Sequence, residues 1–202
     1  MKIFCIGRNY AEHAAEMKAE VPTAPIFFMK PDTALSKENY FYYPKFTNDL
    51  HYECEIVVKI GRTGKNIEEK FAQNYIDSYS LGIDFTARDL QQKCKEKGLP
   101  WEIAKAWENS APISKKWLST KEFKHDNIDF SLVLNQEQVQ KGNSSQMLFS
   151  IPKVISYLSQ FNTLKIGDLI FTGTPSGVGP VKIGDELKGY VGTQEMFALK
   201  IK

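Results

Sequence analysis

Glu53 and Glu55 are one residue apart, so on a strand both carboxylates leave the same face. Two like charges so placed repel unless a cation joins them. Two readings stand: the exposed polar face of an edge strand, or part of an oxygen-ligand cation site. Asp84 ends the apolar run YSLGID, where an unpaired carboxylate is costly, and it favours the second reading. Three carboxylates converging on one point make a hard oxygen site, suited to Mg²⁺ or Mn²⁺ and poor for zinc. His13 and Glu16 share a face if their segment is helical. A carboxylate bonded to the imidazole fixes its tautomer and raises its basicity, as a general base requires. The same spacing also occurs on solvated helix faces. Lys105, in LPWEIAKAW, either snorkels past Trp101 and Trp107 or is held for an anion. The run TGTPSGVGP at 172–180 lacks the GK[ST] of a phosphate loop. Its glycines and threonines still offer N–H and O–H donors to an anion, the alternative being a plain surface turn.

Short strands must carry most of these groups. Segments 2–6, 26–29, 52–60, 77–85, 128–134, 168–172, 185–190 and 195–201 read as strands. In 52–60, Glu53, Glu55 and Val57 fall on one face; Tyr52, Cys54, Ile56 and Val58 fall on the other. Helices are expected over 9–19 with Asn9 as cap, and over 86–97 with Thr86 as cap and Gly98 and Pro100 as stops. A third spans 150–161, capped by Ser150, with Ile151, Val154, Ile155 and Leu158 as its apolar stripe. Dominant strands with short, scattered helices indicate a β-rich α+β fold. No Pro/Gly/Ser-rich linker interrupts residues 1–202, so one domain is expected.

Composition narrows the function. Lys plus Arg is 26 and Asp plus Glu is 24, a balance that argues against nucleic acid as a partner. With 42% apolar and 25% charged residues the chain is not of the disordered class. No apolar run approaches the length of about 18 residues that a membrane span needs, and the apolar start before Arg8 is too short for a signal peptide. Cys5, Cys54 and Cys94 are widely spaced, as expected of reduced thiols in a cytoplasmic protein.

Taken together, several stretches carry a resemblance. They are GRNYAEHAAEM at 7–17, FFMKP at 27–31, LHYECEI at 50–56, DFTARDLQ at 84–91, KGLPWEIAKAW at 97–107, SSQMLFSIPKVISYLSQ at 144–160 and GDLIFTGTPSGVGPV at 167–181. The sequence resembles the fumarylacetoacetate hydrolase family, most of all its short acylpyruvate hydrolase and oxaloacetate decarboxylase branch. The resemblance implies a mixed β-roll with short peripheral helices, usually dimeric. It implies Glu53, Glu55 and Asp84 as ligands of Mg²⁺ or Mn²⁺, and His13 and Glu16 as a pair acting on water from a mobile lid over 8–20. It implies Lys105 as a catalytic contact to the substrate carboxylate or enolate, and Lys30, Arg88, Gln91 and Thr174 as further substrate contacts. Cys54 departs from the family pattern, where Gly or a small aliphatic residue is common, but it points away from the carboxylates. The implied activity is hydrolysis of the C–C bond of 3-acylpyruvates, small 2-keto acids, through a metal-stabilised pyruvate enolate. Oxaloacetate decarboxylation or keto–enol tautomerisation is the enzymatic alternative, with isomerisation or hydration of a related 2-oxo dicarboxylate beside it. A non-catalytic metal- or ligand-binding relative is the alternative outside enzymes, and the intact HxxE weighs against it. A homodimer is expected.

Overall fold

A computed structural model describes residues 1–16 and 20–202. Two mixed sheets form its frame. The first has six strands, in the order Leu118–Ser119, Ile76–Ile83, Cys54–Ile60, Leu169–Phe171, Ile3–Gly7 and Ile26–Lys30. Only Ile3–Gly7 and Leu169–Phe171 run parallel in it. The second has five, in the order Glu137–Asn143, Asp129–Leu134, Glu186–Val191, Gln194–Ile201 and Tyr40–Phe41. The β-rich α+β reading therefore holds.

The two sheets share one core. Ile56, Val58, Tyr79 and Leu81 of the first meet Phe130, Leu132, Leu187, Met196 and Leu199 of the second. Gly189 leaves no room for a side chain at this junction: a Cβ there would sit 2.4 Å from the Phe197 ring of the neighbouring strand and 2.8 Å from Leu81 of the first sheet. The opposite face of the first sheet is covered as well, since Ile3, Cys5, Val57, Leu169 and Phe171 cluster with Ala111 and Ile113. Coverage on both faces explains why the central strands read as nearly continuous apolar runs.

The helices are short. α1 spans Ala11–Glu16, α2 Arg88–Lys97, α3 Glu102–Lys105 and α4 Ile151–Phe161. α4 matches its expectation: the Ser150 side chain accepts from Lys153 N–H, and Ile151, Val154, Ile155 and Leu158 are buried. α2 ends at Gly98 in the left-handed conformation, as the sequence indicated. Its start differs, because Thr86 belongs to a two-residue strand and Ala87 precedes the helix without a side-chain cap. The expected 9–19 helix is Ala11–Glu16 among the described residues, and 17–19 lie outside them. Asn9 does not cap it. Its amide donates to Phe149 O and Thr172 O and its oxygen accepts from Phe149 N–H, so it clamps two distant loops. The polar strand Glu137–Asn143 escaped the sequence reading because it is an edge strand without apolar alternation. All three cysteines are buried and free, and Cys54 faces the shared core, away from the carboxylates.

Leu158, on the apolar face of α4, is fully buried. Leu158→Ala should destabilise the fold by about 2–5 kcal/mol, read as a lower urea midpoint with an unchanged slope.

Candidate active site

Strand register brings the acidic groups together. Cys54 pairs with Ile83 and Glu55 with Gly82, so Glu53 and Asp84 meet at the ends of neighbouring strands. The Asp84 N–H donates to Glu53 O at 2.8 Å and fixes that meeting. Carboxylate oxygens of Glu53, Glu55 and Asp84 lie within 4.8 Å of one another, and all three residues are buried. The sequence expected the three to converge, and they do.

Three cations hold this charge inside the protein. Lys105 Nζ, at the end of α3, bridges Glu53 Oε2 at 2.7 Å and Asp84 Oδ2 at 2.8 Å. Arg88, at the start of α2, donates to Glu53 Oε1 at 2.7 Å and to Gln91 Oε1 at 2.7 Å. Lys30 is buried behind the site, 2.9 Å from Asp84 Oδ1 but out of hydrogen-bond alignment with it. Burial opposes the charge on Glu53, yet Lys105, Arg88 and His13 outweigh it and hold the carboxyl well below the usual range. Glu55 goes the other way. Burial pushes its pKa well up, Asp84 and Glu53 add to this, and the Gly173 N–H at 2.6 Å relieves only part of it. Lys105 stays protonated, because Asp84 and Glu53 overcome the cost of its burial.

This donor set fits a hard divalent cation. All three carboxylates offer oxygen, Asp84 Oδ1 is buried without a hydrogen-bond partner among the described residues, and Glu55 has too little positive charge around it. Glu53, Glu55 and Asp84 are the residues that could hold the ion.

Above the acidic cluster, His13 is buried and lines the same cavity as the three carboxylates, Arg88, Gln91, Lys105 and Thr174. His13 Nδ1 lies 3.2 Å from Glu16 Oε2. The carboxylate only accepts, so it places the proton of a neutral ring on Nδ1 and leaves Nε2 as the basic nitrogen. α1 is latched onto the TGTP loop: the Gly177 N–H donates to Glu16 Oε1 at 3.1 Å, and Ser176 Oγ donates to Glu12 Oε2 at 3.2 Å. The expected lid thus carries the His–Glu pair on its described part, and residues 17–19 of it lie outside the described residues.

Two of the expected substrate contacts, Lys30 and Thr174, are bonded within the protein. Lys30 does not line the cavity. Its ammonium lies in hydrogen-bond range of Phe85 O, Ser110 O and Lys105 O, and 3.0 Å from Ser110 Oγ. The physical reason is charge: an ammonium behind Asp84 offsets a buried carboxylate and ties down the backbone that carries Lys105. Thr174 does line the cavity, but its hydroxyl donates to Cys54 O and accepts from Gln140 Nε2.

Sequence reasoning missed other members of the site. Gln140, on the polar edge strand, accepts from Cys54 N–H and donates to Pro175 O, joining the ExE strand to the TGTP loop. Gly173 takes φ +102, and a Cβ there would lie 2.6 Å from Asn9 Cβ. Only glycine can turn its N–H towards Glu55 in this way. Arg8 and Lys95 also line the cavity. The available signal for Lys95 was its position seven residues after Arg88 on one helix.

The model of the fumarylacetoacetate (FAA) hydrolase C-terminal region matches residues 2–200. The chain belongs to the fumarylacetoacetate hydrolase family. It is 43% identical to the oxaloacetate tautomerase FAHD1, mitochondrial, of Bos taurus, over 99% of this chain and 90% of that protein. It is also 43% identical to the oxaloacetate tautomerase YcgM of Escherichia coli, over 92% and 86% of the two chains. Among solved structures it is similar to a fumarylpyruvate hydrolase from Pseudomonas aeruginosa in complex with Mn²⁺ and pyruvate. The TM-score is 0.94 at 37% identity, covering 100% of this chain and 89% of that one. The named relatives of this fumarylacetoacetate hydrolase family member are enzymes of small keto acids. Among the described residues, no helix is long and apolar enough to cross a membrane.

Removing Lys30 leaves Asp84 Oδ1 facing an uncompensated interior. Lys30→Met should cost about 3 kcal/mol, the lower end for breaking a buried pair, because Lys105 still holds the other oxygen. Chemical denaturation of the two proteins measures it.

Proposed function

We propose that this chain is a divalent-metal-dependent enzyme of small 2-keto acids, and that oxaloacetate, through keto–enol tautomerisation or decarboxylation, is its preferred substrate. One observation carries the reading: a buried His13, bonded to the exposed Glu16 outside, lines a single cavity with the Glu53–Glu55–Asp84 cluster. The names of the two tautomerase relatives move the weight from acylpyruvate hydrolysis to oxaloacetate. Acylpyruvate hydrolysis remains the second reading, supported by the intact His13–Glu16 pair and the similarity to a fumarylpyruvate hydrolase. The whole chain acts as one catalytic domain, and a homodimer is the assembly we assign to it.

Glu53, Glu55 and Asp84 would hold Mg²⁺ or Mn²⁺. Such an ion supplies Lewis acidity at the 2-keto oxygen and disperses enolate charge. The rest falls to the chain's own residues. Lys105 and Arg88 neutralise the substrate's carboxylate and orient it. Gln91 holds the Arg88 guanidinium in plane. His13 Nε2 takes a proton from C3 of the substrate and passes it on to the 2-keto oxygen, which turns keto into enol; the reverse transfer turns enol into keto. In decarboxylation the same nitrogen delivers the proton to C3 after CO₂ has left. In hydrolysis it would instead deprotonate a water aimed at the distal carbonyl. α1, latched on the TGTP loop, keeps bulk water out during proton transfer.

Assays of enolisation, CO₂ release and acetylpyruvate cleavage at saturating Mg²⁺ test the reading. His13→Ala should lower tautomerisation, and any hydrolysis, by about 10²–10⁴-fold. Decarboxylation should fall less, because CO₂ departure needs an electron sink and no base. Asp84→Ala should abolish all three. Equal losses across the three activities in His13→Ala would withdraw the general-base role.

Metal removal gives a second check. At a free Mn²⁺ concentration about a hundred times its Kd, the protein should gain about 2.7 kcal/mol of stability over the chelated form. Asp84→Asn should lose most of this gain. Thermal scans with and without chelator would show an equal midpoint for both forms if the carboxylates do not hold the ion.

A further inference from the structure

The cavity carries more positive charge than the proposed chemistry uses. Lys105 is committed to Glu53 and Asp84, and Arg88 to Glu53 and Gln91. Arg8 and Lys95 line the same cavity, and neither has a carboxylate partner among the described residues. Arg88, Gln91 and Lys95 stand at i, i+3 and i+7 on α2, so one face of that helix points all three inward. The Lys95 ammonium is held 5.7 Å from the centroid of the Trp101 ring, which is itself part of the cavity wall.

Arg8 lies in the chain between strand Ile3–Gly7 and α1 and lines the same cavity. It adopts φ +57, a conformation uncommon for a residue with a Cβ. Backbone strain of this kind collects at ligand-binding positions. Arg88 Nε is also buried without a hydrogen-bond partner among the described residues. Half-burial lowers the pKa of Lys95, and the Arg88 and Arg8 charges lower it further. A wall of mutually repelling cations is stable when an anion joins it.

The charge balance says which anion. Three carboxylates and one divalent cation leave a single negative charge, and the first substrate carboxylate adds one more. Lys30, Lys105 and Arg88 already more than offset both. Arg8 and Lys95 then have no counter-charge unless the substrate brings a second carboxylate. We propose that Arg8 and Lys95 form a second-carboxylate subsite, which makes this chain selective for 2-keto dicarboxylates over 2-keto monocarboxylates. The inference rests on the proposed reading only in placing the 2-keto acid head at the Glu53–Glu55–Asp84 cluster. It extends that reading to residues the metal chemistry does not need.

The test compares ligands of one length. Mn²⁺-loaded protein is titrated calorimetrically with 2-oxoglutarate and with 2-oxopentanoate, which lacks the second carboxylate. Wild type should bind the dicarboxylate more tightly. Lys95→Met and Arg8→Asn, the latter chosen because asparagine tolerates positive φ, should each reduce that preference about ten- to a hundredfold. Lys95→Arg should retain it. In parallel, the ratio of kcat/KM for oxaloacetate to that for acetylpyruvate should fall in both variants, mainly through KM. An unchanged preference, or equal weakening of both ligands, would overturn the subsite even if oxaloacetate is turned over. A preference that depends on Lys95 and Arg8 in a protein that turns over neither keto acid would uphold the subsite and sink the enzymatic reading instead.

Discussion

Three carboxylates buried within 4.8 Å of one another are the constraint around which this molecule is arranged. Ionised together in a low-dielectric interior they repel strongly, so the fold must bring positive charge to them. It does so with three side chains. Lys30 lies against Asp84, Lys105 bridges Glu53 and Asp84, and Arg88 pairs with Glu53. Glu55 is left with the least compensation, its main help being one N–H from Gly173. That imbalance is one that a divalent ion held there would relieve.

Much of the surrounding structure serves to keep these groups in place. The register of strands Cys54–Ile60 and Ile76–Ile83 sets Glu53 beside Asp84. Asn9 and Gln140 are buried amides that tie the TGTP loop to the sheet and to the chain preceding α1. Each makes several hydrogen bonds at once, which is what allows a polar side chain to be buried without penalty. The loop in turn latches α1 through Glu12 and Glu16. The position of the His13 imidazole over the carboxylates is therefore linked, through the loop, to the same strand that carries Glu53 and Glu55.

In the proposed reading the site also selects by charge: a metal held by three carboxylates would suit many 2-keto acids, and Arg8, Arg88 and Lys95 on the cavity lining would narrow the choice towards doubly charged ones. This fits an enzyme of oxaloacetate better than one of an acyl chain ending in a methyl group. Chemistry shared across a family is thus separated from specificity carried by residues outside the metal cluster.

The sequence by itself determined the β-rich class, the long strands, the α4 helix with its Ser150 cap, and the same-face pair Glu53 and Glu55. These are local matters, set by two- and 3.6-residue periods and by single capping contacts. The resemblance carried the same residues to a metal, a base and a keto acid. Tertiary structure alone decided the rest. It put Lys30 behind Asp84 instead of in the cavity, gave Thr174 and Gln140 bracing roles, and brought Arg8 and Lys95 to one wall. Those outcomes depend on contacts between residues dozens to more than a hundred positions apart. Which side of a buried carboxylate an ammonium occupies is decided by strand order and crossing chains, and no local period in the sequence encodes it.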